Sequence, residues 1–215
     1  MSTSAYTQFE WNTTGAGDGR SGEGLAQVFI DLVRQLKDVK SICDLGCGNG
    51  YITGRLALLG YDVTGVDASE TGIEIARCDY TQATFIRSLI NKDLAEHTGL
   101  ATFDLVISSD VIEHLYRPSD LFEAAVPLLK PQGQILVGTP YHGYLKNLTL
   151  AVTGKMDNHF NVLDDGGHIK FFSVKTLSEL LTRYHFADLH FSFYGRARWL
   201  WKNMICHARR VSESV

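Results

Sequence analysis

The sequence predicts an α/β fold in which helices cover both faces of a doubly wound, mostly parallel sheet. Short apolar runs typical of buried strands alternate with helical apolar patterns along most of the chain, and this alternation indicates a parallel sheet. The first such run, residues 39–45, enters a glycine-rich turn at residues 46–50, and a helical pattern follows over residues 51–59. A strand, a glycine turn and a helix in this order open a nucleotide-binding βαβ unit.

The other elements are predicted in chain order from the period of their apolar residues. Apolar residues at helical spacing predict helices over residues 25–36, 119–129 and 173–184. Continuous apolar runs predict strands over residues 61–67, 84–90, 103–109 and 134–139. The run Lys-Pro-Gln-Gly at residues 130–133 is interpreted as the turn that closes the preceding helix.

Length and composition indicate one domain, residues 1–215, with its own core. The chain has 215 residues, of which 45% are hydrophobic, and carries a net charge of −4, which gives no general attraction to nucleic acid. No run approaches the ~20 apolar residues of a membrane span, so no transmembrane segment is expected. The first residues do not resemble a secretory signal, and four cysteines are too few for a disulfide framework. A cytoplasmic protein is therefore expected.

Two features of the glycine turn indicate which nucleotide it binds. A dinucleotide fingerprint would place glycine at position 51, where Tyr51 stands. Asp44, at the end of the strand, would repel a pyrophosphate but attract the ammonium and sulfonium of S-adenosylmethionine. The run DLGCGNG resembles the first motif of the class I S-adenosylmethionine-dependent methyltransferases, which implies cofactor contacts from Asp44, Gly46, Cys47, Gly48, Asn49 and Gly50. The alternative is a tight turn that packs strand on helix without a ligand.

The resemblance implies further cofactor contacts at the ends of the next strands. Asp67 ends the second strand 21 positions after Gly46, where an acidic side chain accepts hydrogen bonds from ribose hydroxyls, and Ala68 follows it. The adenine position matches either Ser88 with Leu89 or Asp93. After the fourth strand, Ser109 and Val111 are expected at the same edge of the sheet, where ligands of such folds bind.

A closer resemblance covers roughly residues 40–185. The run DVIEHL at residues 110–115, the later K-P-x-G, and GHIKFFS at residues 167–173 resemble the ubiquinone-biosynthesis O-methyltransferases. This family implies a seven-stranded Rossmann-like sheet whose C-terminal edge is an antiparallel pair, residues 187–194 and 203–208. It also implies methyl transfer to a hydroxyl oxygen of a small molecule. The terminal-ribose methyltransferases of small RNAs share a similar acidic-histidine run, so methylation of an RNA end is the alternative.

Histidines are the candidates for the base that removes the hydroxyl proton, because imidazole titrates near neutral pH. His168 and His114 are the predicted catalytic residues, with His142 as a further candidate. Both resemblances imply that carboxylates and histidines at these places hold a divalent metal, which here would fall to Glu113, His114 and His168. Asp110 stands where those families usually have glutamate, and the metal is not favoured over a bracing role for these side chains.

Three segments carry open alternatives. Residues 1–24 contain Tyr6, Phe9, Trp11 and Arg20 in a turn-rich context and are interpreted as a lid over the cofactor or as a tail. The insertion at residues 141–172 would shape the acceptor pocket; the alternatives are a surface subdomain, a homodimer contact or membrane-surface docking. The basic, aromatic segment 196–202 would line the pocket mouth, bind anions or form a solvated edge. A non-catalytic S-adenosylmethionine-binding module is the weakest alternative.

Overall fold

The computed structural model of the chain describes residues 10–11, 22–160, 162–164 and 166–211. Its strands are β1 (Ser41–Leu45), β2 (Asp62–Asp67), β3 (Thr84–Arg87), β4 (Phe103–Ser109), β5 (Leu129–Pro140), β6 (Phe186–Tyr194) and β7 (Asn203–Arg210). Its helices are α1 (Gly22–Gln35), α2 (Tyr51–Leu58), α3 (Glu70–Asp79), α4 (Leu94–Thr98), α5 (Ser119–Leu128), α6 (Tyr144–Val152), α7 (Met156–His159) and α8 (Val174–Arg183). A single 3₁₀ turn, Ile112–His114, follows β4.

The seven strands form one sheet in the order β3-β2-β1-β4-β5-β7-β6. Strands β1 to β5 run parallel to one another, whereas β7 lies between β5 and β6 and runs antiparallel to both. The predicted doubly wound, Rossmann-like sheet with an antiparallel C-terminal edge is therefore confirmed.

Apolar side chains bury both faces of this sheet. On one face, α1 and α2 contribute Phe29, Val33 and Leu56 to a core cluster that includes Ile42 and Leu105 of the central strands. On the other face, the buried side chains come from α4, α5 and α8 together with the opposite faces of the same strands. The alternation of inward residues on both faces explains why the strands read as nearly continuous apolar runs.

The turn at residues 130–133, which was predicted to precede the fifth strand, lies inside β5. Phe103 pairs with Leu129 and Leu105 pairs with Gln134, so four residues of β5 lie opposite Asp104 alone. Gln132 has φ 60, which is the left-handed conformation that turns require. The turn is therefore a bulge within the strand, because pairing with β4 resumes on both sides of it. Strand β3 also ends earlier than predicted, at Arg87.

Parallel strands direct the candidate site to one edge. The carboxyl ends of β1, β2, β4 and β5 meet there, and the start of β7 joins them because Asn203 pairs with Pro140. The insertion stands over this edge and contains α6 and the short α7. Within the described part of the chain, the structure contains no helix that is both long enough and apolar enough to cross a bilayer.

Candidate functional site

The turn after β1 requires its glycines. Gly46 and Gly50 have φ 84 and 78, where a side chain is strained. A Cβ at Gly46 would collide with Val111 Cγ2, and one at Gly50 would lie 2.6 Å from Ala76 Cβ. The turn is thus packed tightly against the segment after β4 on one side and against α3 on the other.

Asp67 connects this turn to the next one. Its Oδ2 accepts a hydrogen bond from the Gly48 backbone N–H at 2.8 Å, and its Oδ1 accepts one from the Ser69 N–H at 2.7 Å. Its backbone carbonyl also accepts a hydrogen bond from the Ser88 N–H at 2.9 Å. Burial raises the pKa of Asp67, and the backbone donors oppose that shift. One aspartate therefore holds the ends of β1, β2 and β3 together.

Asp44 lies beneath the glycine turn and is only 2% exposed. The Thr53 hydroxyl of α2 donates a hydrogen bond to its Oδ2 at 2.6 Å. Burial raises the pKa of Asp44 to about 7, the Thr53 hydrogen bond opposes the rise, and the nearby Asp67 charge adds to it. Thr53 was not singled out from the sequence; its signal is a lone hydroxyl on the buried face of an apolar helix.

The other predicted cofactor residues occupy three places. Cys47 and Asn49 are buried in the turn, and Ala68 and Ser109 are partly buried at the ends of β2 and β4. Ser88 lies beside Asp67 through the backbone contact, while Leu89 is 49% exposed. Asp93 precedes α4, and its backbone N–H donates to Asn91 Oδ1 at 3.0 Å. The two alternatives for the adenine position thus lie apart, Ser88 beside Asp67 at the end of β3 and Asp93 at the start of α4.

Trp11 lies against the same turn. A Cβ at Gly48 would collide with its indole ring, and one at Gly72 would lie 2.9 Å from its Cδ1. The Trp11 backbone N–H donates to Thr71 Oγ1 at 2.9 Å. Most of the predicted lid, including Tyr6, Phe9 and Arg20, lies outside the described residues, so the lid stays a prediction. Trp11 is at the position that such a lid anchor would occupy.

Glu113, His114 and His168 form one cluster at the end of β4. Their candidate ligand atoms lie within 4.8 Å of one another, and His168 Nε2 is 3.9 Å from Glu113 Oε1. Thr139 donates to Glu113 Oε2 at 2.9 Å, while the buried Oε1 accepts no hydrogen bond from any residue that the structure describes. The Glu113 carbonyl accepts the N–H groups of Ile169 and Lys170 at 2.9 and 3.0 Å, which fixes the loop carrying His168.

Burial also sets the charge state of this cluster. It raises the pKa of Glu113 well above its ordinary value, and the neighbouring Asp110 carboxylate raises it further. Burial, with the nearby His114, lowers the pKa of His168 to about 4, so its imidazole is neutral at pH 7. Asp110 accepts a hydrogen bond from Asn203 Nδ2 at 2.7 Å. Asn203 gave no sequence signal, because the return of β7 brings it here.

The remaining candidates lie on the insertion side. His142 follows β5 and is 6% exposed, and burial lowers its pKa to about 3. In segment 196–202, Trp201 stacks on Phe193 at 4.1 Å and contacts Tyr141 at 5.4 Å between ring centroids. Trp199 is 48% exposed. One tryptophan therefore packs at the edge of the site, and the other faces solvent.

A cleft of about 450 Å³ lies elsewhere, at the amino ends of the parallel strands. Residues from the start of β5 and the end of β7, among them Pro131, Gln132 and Arg210, line it. It contains none of the predicted cofactor or catalytic residues. Ligands of doubly wound sheets bind at the carboxyl ends of the strands, so this cleft is not the candidate site.

Comparison with known proteins identifies relatives of the whole domain. A family model described as a methyltransferase domain matches residues 20–190. The ubiquinone biosynthesis O-methyltransferase of Vibrio parahaemolyticus is 27% identical over 187 residues, which cover 80% of this chain and 77% of that protein. That of Mesorhizobium japonicum is 38% identical over 117 residues, covering 53% of this chain and 45% of that protein. The chain thus spans less than half of the second relative's length.

Solved structures show the same fold at low sequence identity. Magnesium protoporphyrin IX methyltransferase from Synechocystis PCC 6803, in a crystal structure with bound SAH, is 20% identical with a TM-score of 0.64, covering 87% of this chain and 82% of that chain. A SAM-dependent methyltransferase from Archaeoglobus fulgidus is 16% identical with a TM-score of 0.67, covering 87% of this chain and 94% of that chain. With the family model matching most of its length, this chain belongs to the methyltransferase-domain family and is a class I S-adenosylmethionine-dependent methyltransferase.

Proposed function

We propose that the chain transfers a methyl group from S-adenosylmethionine to a hydroxyl oxygen of a small molecule. The observation that carries the proposal is the Glu113, His114 and His168 cluster beside the glycine turn. Val111, two residues before Glu113, contacts the turn at Gly46, so a donor held by the turn would lie next to groups that can receive a proton. The relatives named as ubiquinone biosynthesis O-methyltransferases support the choice of oxygen.

The proposed cofactor site follows the carboxyl ends of β1 to β4. Asp44 and Asp67 would face the positive charges and the ribose of the donor, and the glycines would admit it close to the backbone. The proposed contacts are Asp44, Gly46, Cys47, Gly48, Asn49, Gly50, Asp67, Ala68, Ser88, Leu89, Ser109 and Val111, with Asp93 as the alternative near the adenine.

In-line attack on the sulfonium leaves the protein two tasks, positioning the acceptor and removing its proton. The neutral imidazole of His168 can accept that proton, and Glu113 lies 3.9 Å away to stabilise the imidazolium that forms. His114 Nδ1 is 2.8 Å from the Gly166 carbonyl, so it is assigned as the donor and Nε2 keeps its lone pair. His168 and His114 therefore remain the two proposed catalytic bases.

The same residues also fit a divalent cation. Glu113 Oε1 is buried without a partner, and a histidine that donates its other nitrogen to a carbonyl is oriented as metal ligands usually are. Glu113, His114 and His168 would hold the ion. When bound, it would lower the pKa of an acceptor hydroxyl. Thr139 and the backbone of Glu113 hold the carboxylate and the His168 loop in place.

The test follows the labelled methyl group. The protein is incubated with methyl-labelled S-adenosylmethionine and either hydroxylated aromatic compounds or short RNAs, before and after exhaustive chelation. We expect label in the small molecules, and a strong loss of transfer in Glu113→Gln but not in the control Glu179→Gln, at an exposed position of α8. Transfer to RNA alone would contradict the proposal. Full transfer after chelation would exclude a metal and leave the histidines as simple bases.

A further inference from the structure

Lys146 is a buried lysine for which the residues that the structure describes supply no counter-ion. It lies in the first turn of α6 and is 3% exposed, and its Nζ donates to the Tyr141 carbonyl at 2.6 Å. An ammonium group has three N–H donors, so this bond satisfies one of them. Among the described residues no carboxylate pairs with Lys146, and the other charge that acts on it is that of Arg196. Burying such a charge is costly unless a partner arrives.

Two histidines beside Lys146 carry buried ring nitrogens without a well-formed hydrogen bond. His142 is 6% exposed, and among the described residues neither of its ring nitrogens has a partner in hydrogen-bond geometry, although the Asn147 side chain lies close enough to raise its pKa slightly against the effect of burial. Within the same described part of the chain, His159 Nε2 is also buried without a partner, and the two rings lie 5.1 Å apart. Burial lowers the pKa of Lys146 to about 8, and the Lys146 charge helps to lower the pKa of both histidines. A neutral imidazole still carries one N–H donor, so the three side chains together offer donors and positive charge.

Aromatic rings complete this region. Phe171 lies 5.0 Å from the His142 ring, Phe160 lies 5.6 Å from it, and the two phenylalanine rings are 4.7 Å apart. Such faces suit a flat apolar group. His168 is within electrostatic reach of Lys146 and His159, so this region adjoins the Glu113, His114 and His168 cluster.

We propose that Lys146, His142 and His159 form a subsite for a carboxylate of the methyl acceptor, which would be a hydroxylated aromatic acid. The inference rests on the proposed function and adds the substrate class. A carboxylate accepts several hydrogen bonds at once and supplies the charge that Lys146 lacks. The aromatic rings hold the acceptor ring, and its hydroxyl points toward the cluster where the proton is removed. A cationic acceptor would be repelled by Lys146 and Arg196.

The test uses a matched pair of probes, 3,4-dihydroxybenzoate and 3,4-dihydroxybenzamide, which differ in charge but share ring and hydroxyls. Calorimetry measures binding of each to the full chain with S-adenosylhomocysteine present. We expect the carboxylate to bind about 10- to 100-fold more tightly, as for a charge-assisted hydrogen bond. Lys146→Met should abolish the preference, whereas Lys155→Met, at an exposed lysine of the same insertion, should keep it.

Equal binding of the two probes by the unmodified protein, or no binding of the carboxylate, would overturn the inference without any variant. A preference that survives in folded Lys146→Met would also overturn it, and folding is checked by S-adenosylhomocysteine affinity. Methyl transfer separates the inference from the proposed function. Equally efficient methyl transfer to the benzamide and to the benzoate would contradict the carboxylate subsite and support hydroxyl methylation. Preferential binding of the benzoate without methyl transfer would support the subsite and contradict the proposed function.

Discussion

Replacing Asp67 with alanine separates two roles that the structure allows for this carboxylate. Its oxygens accept hydrogen bonds from the Gly48 and Ser69 backbone N–H groups at 2.8 and 2.7 Å, so it braces two turns of the fold. A carboxylate has about four lone-pair sites, so ribose hydroxyls can be bound in addition. The bracing role predicts a loss of stability, and the binding role predicts a loss specific to ribose.

The expected magnitudes follow from these contacts. A hydrogen bond to a charged group contributes about 1.5–3 kcal/mol, but burial raises the pKa of Asp67, and this desolvation cost offsets part of the two backbone bonds. We expect Asp67→Ala to lower the free energy of unfolding by about 1–3 kcal/mol. Loss of the ribose bonds should weaken cofactor binding by a further ~1–3 kcal/mol, about 5- to 150-fold in Kd.

The assay is calorimetric titration with S-adenosylhomocysteine and with an analogue that lacks both ribose hydroxyls. Asp67→Ala should weaken binding of the first ligand far more than binding of the second. The control is Asp62→Ala, at the exposed start of the same strand. An equal loss for both ligands would show that Asp67 only braces the turn. An unchanged affinity in a folded variant would remove Asp67 from the site.

Three further predictions concern the same edge. Burial raises the pKa of Asp44 to about 7 and a bound cation favours its ionised form, so S-adenosylmethionine affinity should rise as pH increases through 7 and stay flat in Asp44→Asn by calorimetry. Cofactor binding should change tryptophan fluorescence in the unmodified protein and in Trp199→Phe, but not in Trp11→Phe. Gly46→Ala should lower thermal stability because the new Cβ would collide with Val111. Adding Val111→Ala should restore part of that stability and leave a loss of about 1–2 kcal/mol from backbone strain. No restoration in the double variant would contradict the contact.

Local sequence signals predicted the parts of the fold that depend on local chemistry. The glycine turn, with Gly46 and Gly50 in left-handed conformations, was predicted because only glycine adopts those angles readily. Asp67 was predicted to lie beside the glycine turn because one helix and one strand separate it from Gly46. Residues 130–133 were predicted as a turn, and their local conformation is that of a turn. They form a bulge within β5 because pairing with β4 resumes on both sides of them, and that pairing depends on a distant strand.

Contacts between distant segments were not predictable in the same way. Asn203 and Asp110 are 93 positions apart and meet only because β7 returns antiparallel to β5. Lys146 carries no signal in the sequence, because its burial depends on how the insertion folds back over β5. The His168 loop is placed by backbone bonds to the Glu113 carbonyl, which involve no side chain that a pattern could identify.

The ionisable groups of the site are perturbed in opposite directions on its two sides. Burial raises the pKa of Asp44 and Glu113 on the side of β1 and β4, and lowers the pKa of Lys146 and His168 on the side of the insertion. Asp44, Glu113 and Lys146 are almost fully buried, and a ligand of opposite sign would restore stabilisation to their charged forms. On the proposals above, the acidic side takes the cationic donor and the basic side takes the anionic acceptor.

This division of charge would orient both ligands before the methyl group is approached. The two sides meet where His168 Nε2 lies 3.9 Å from Glu113 Oε1, and on the proposed function the hydroxyl proton is taken up there. As the oxygen attacks, the electron pair of the C–S bond stays on sulfur and the donor becomes neutral. On this mechanism the positive charge then resides on the His168 imidazolium, which Glu113 would stabilise. No described residue donates a hydrogen bond to the buried Glu113 Oε1, which is costly in the free protein, and the proposed stabilisation of the imidazolium would offset that cost.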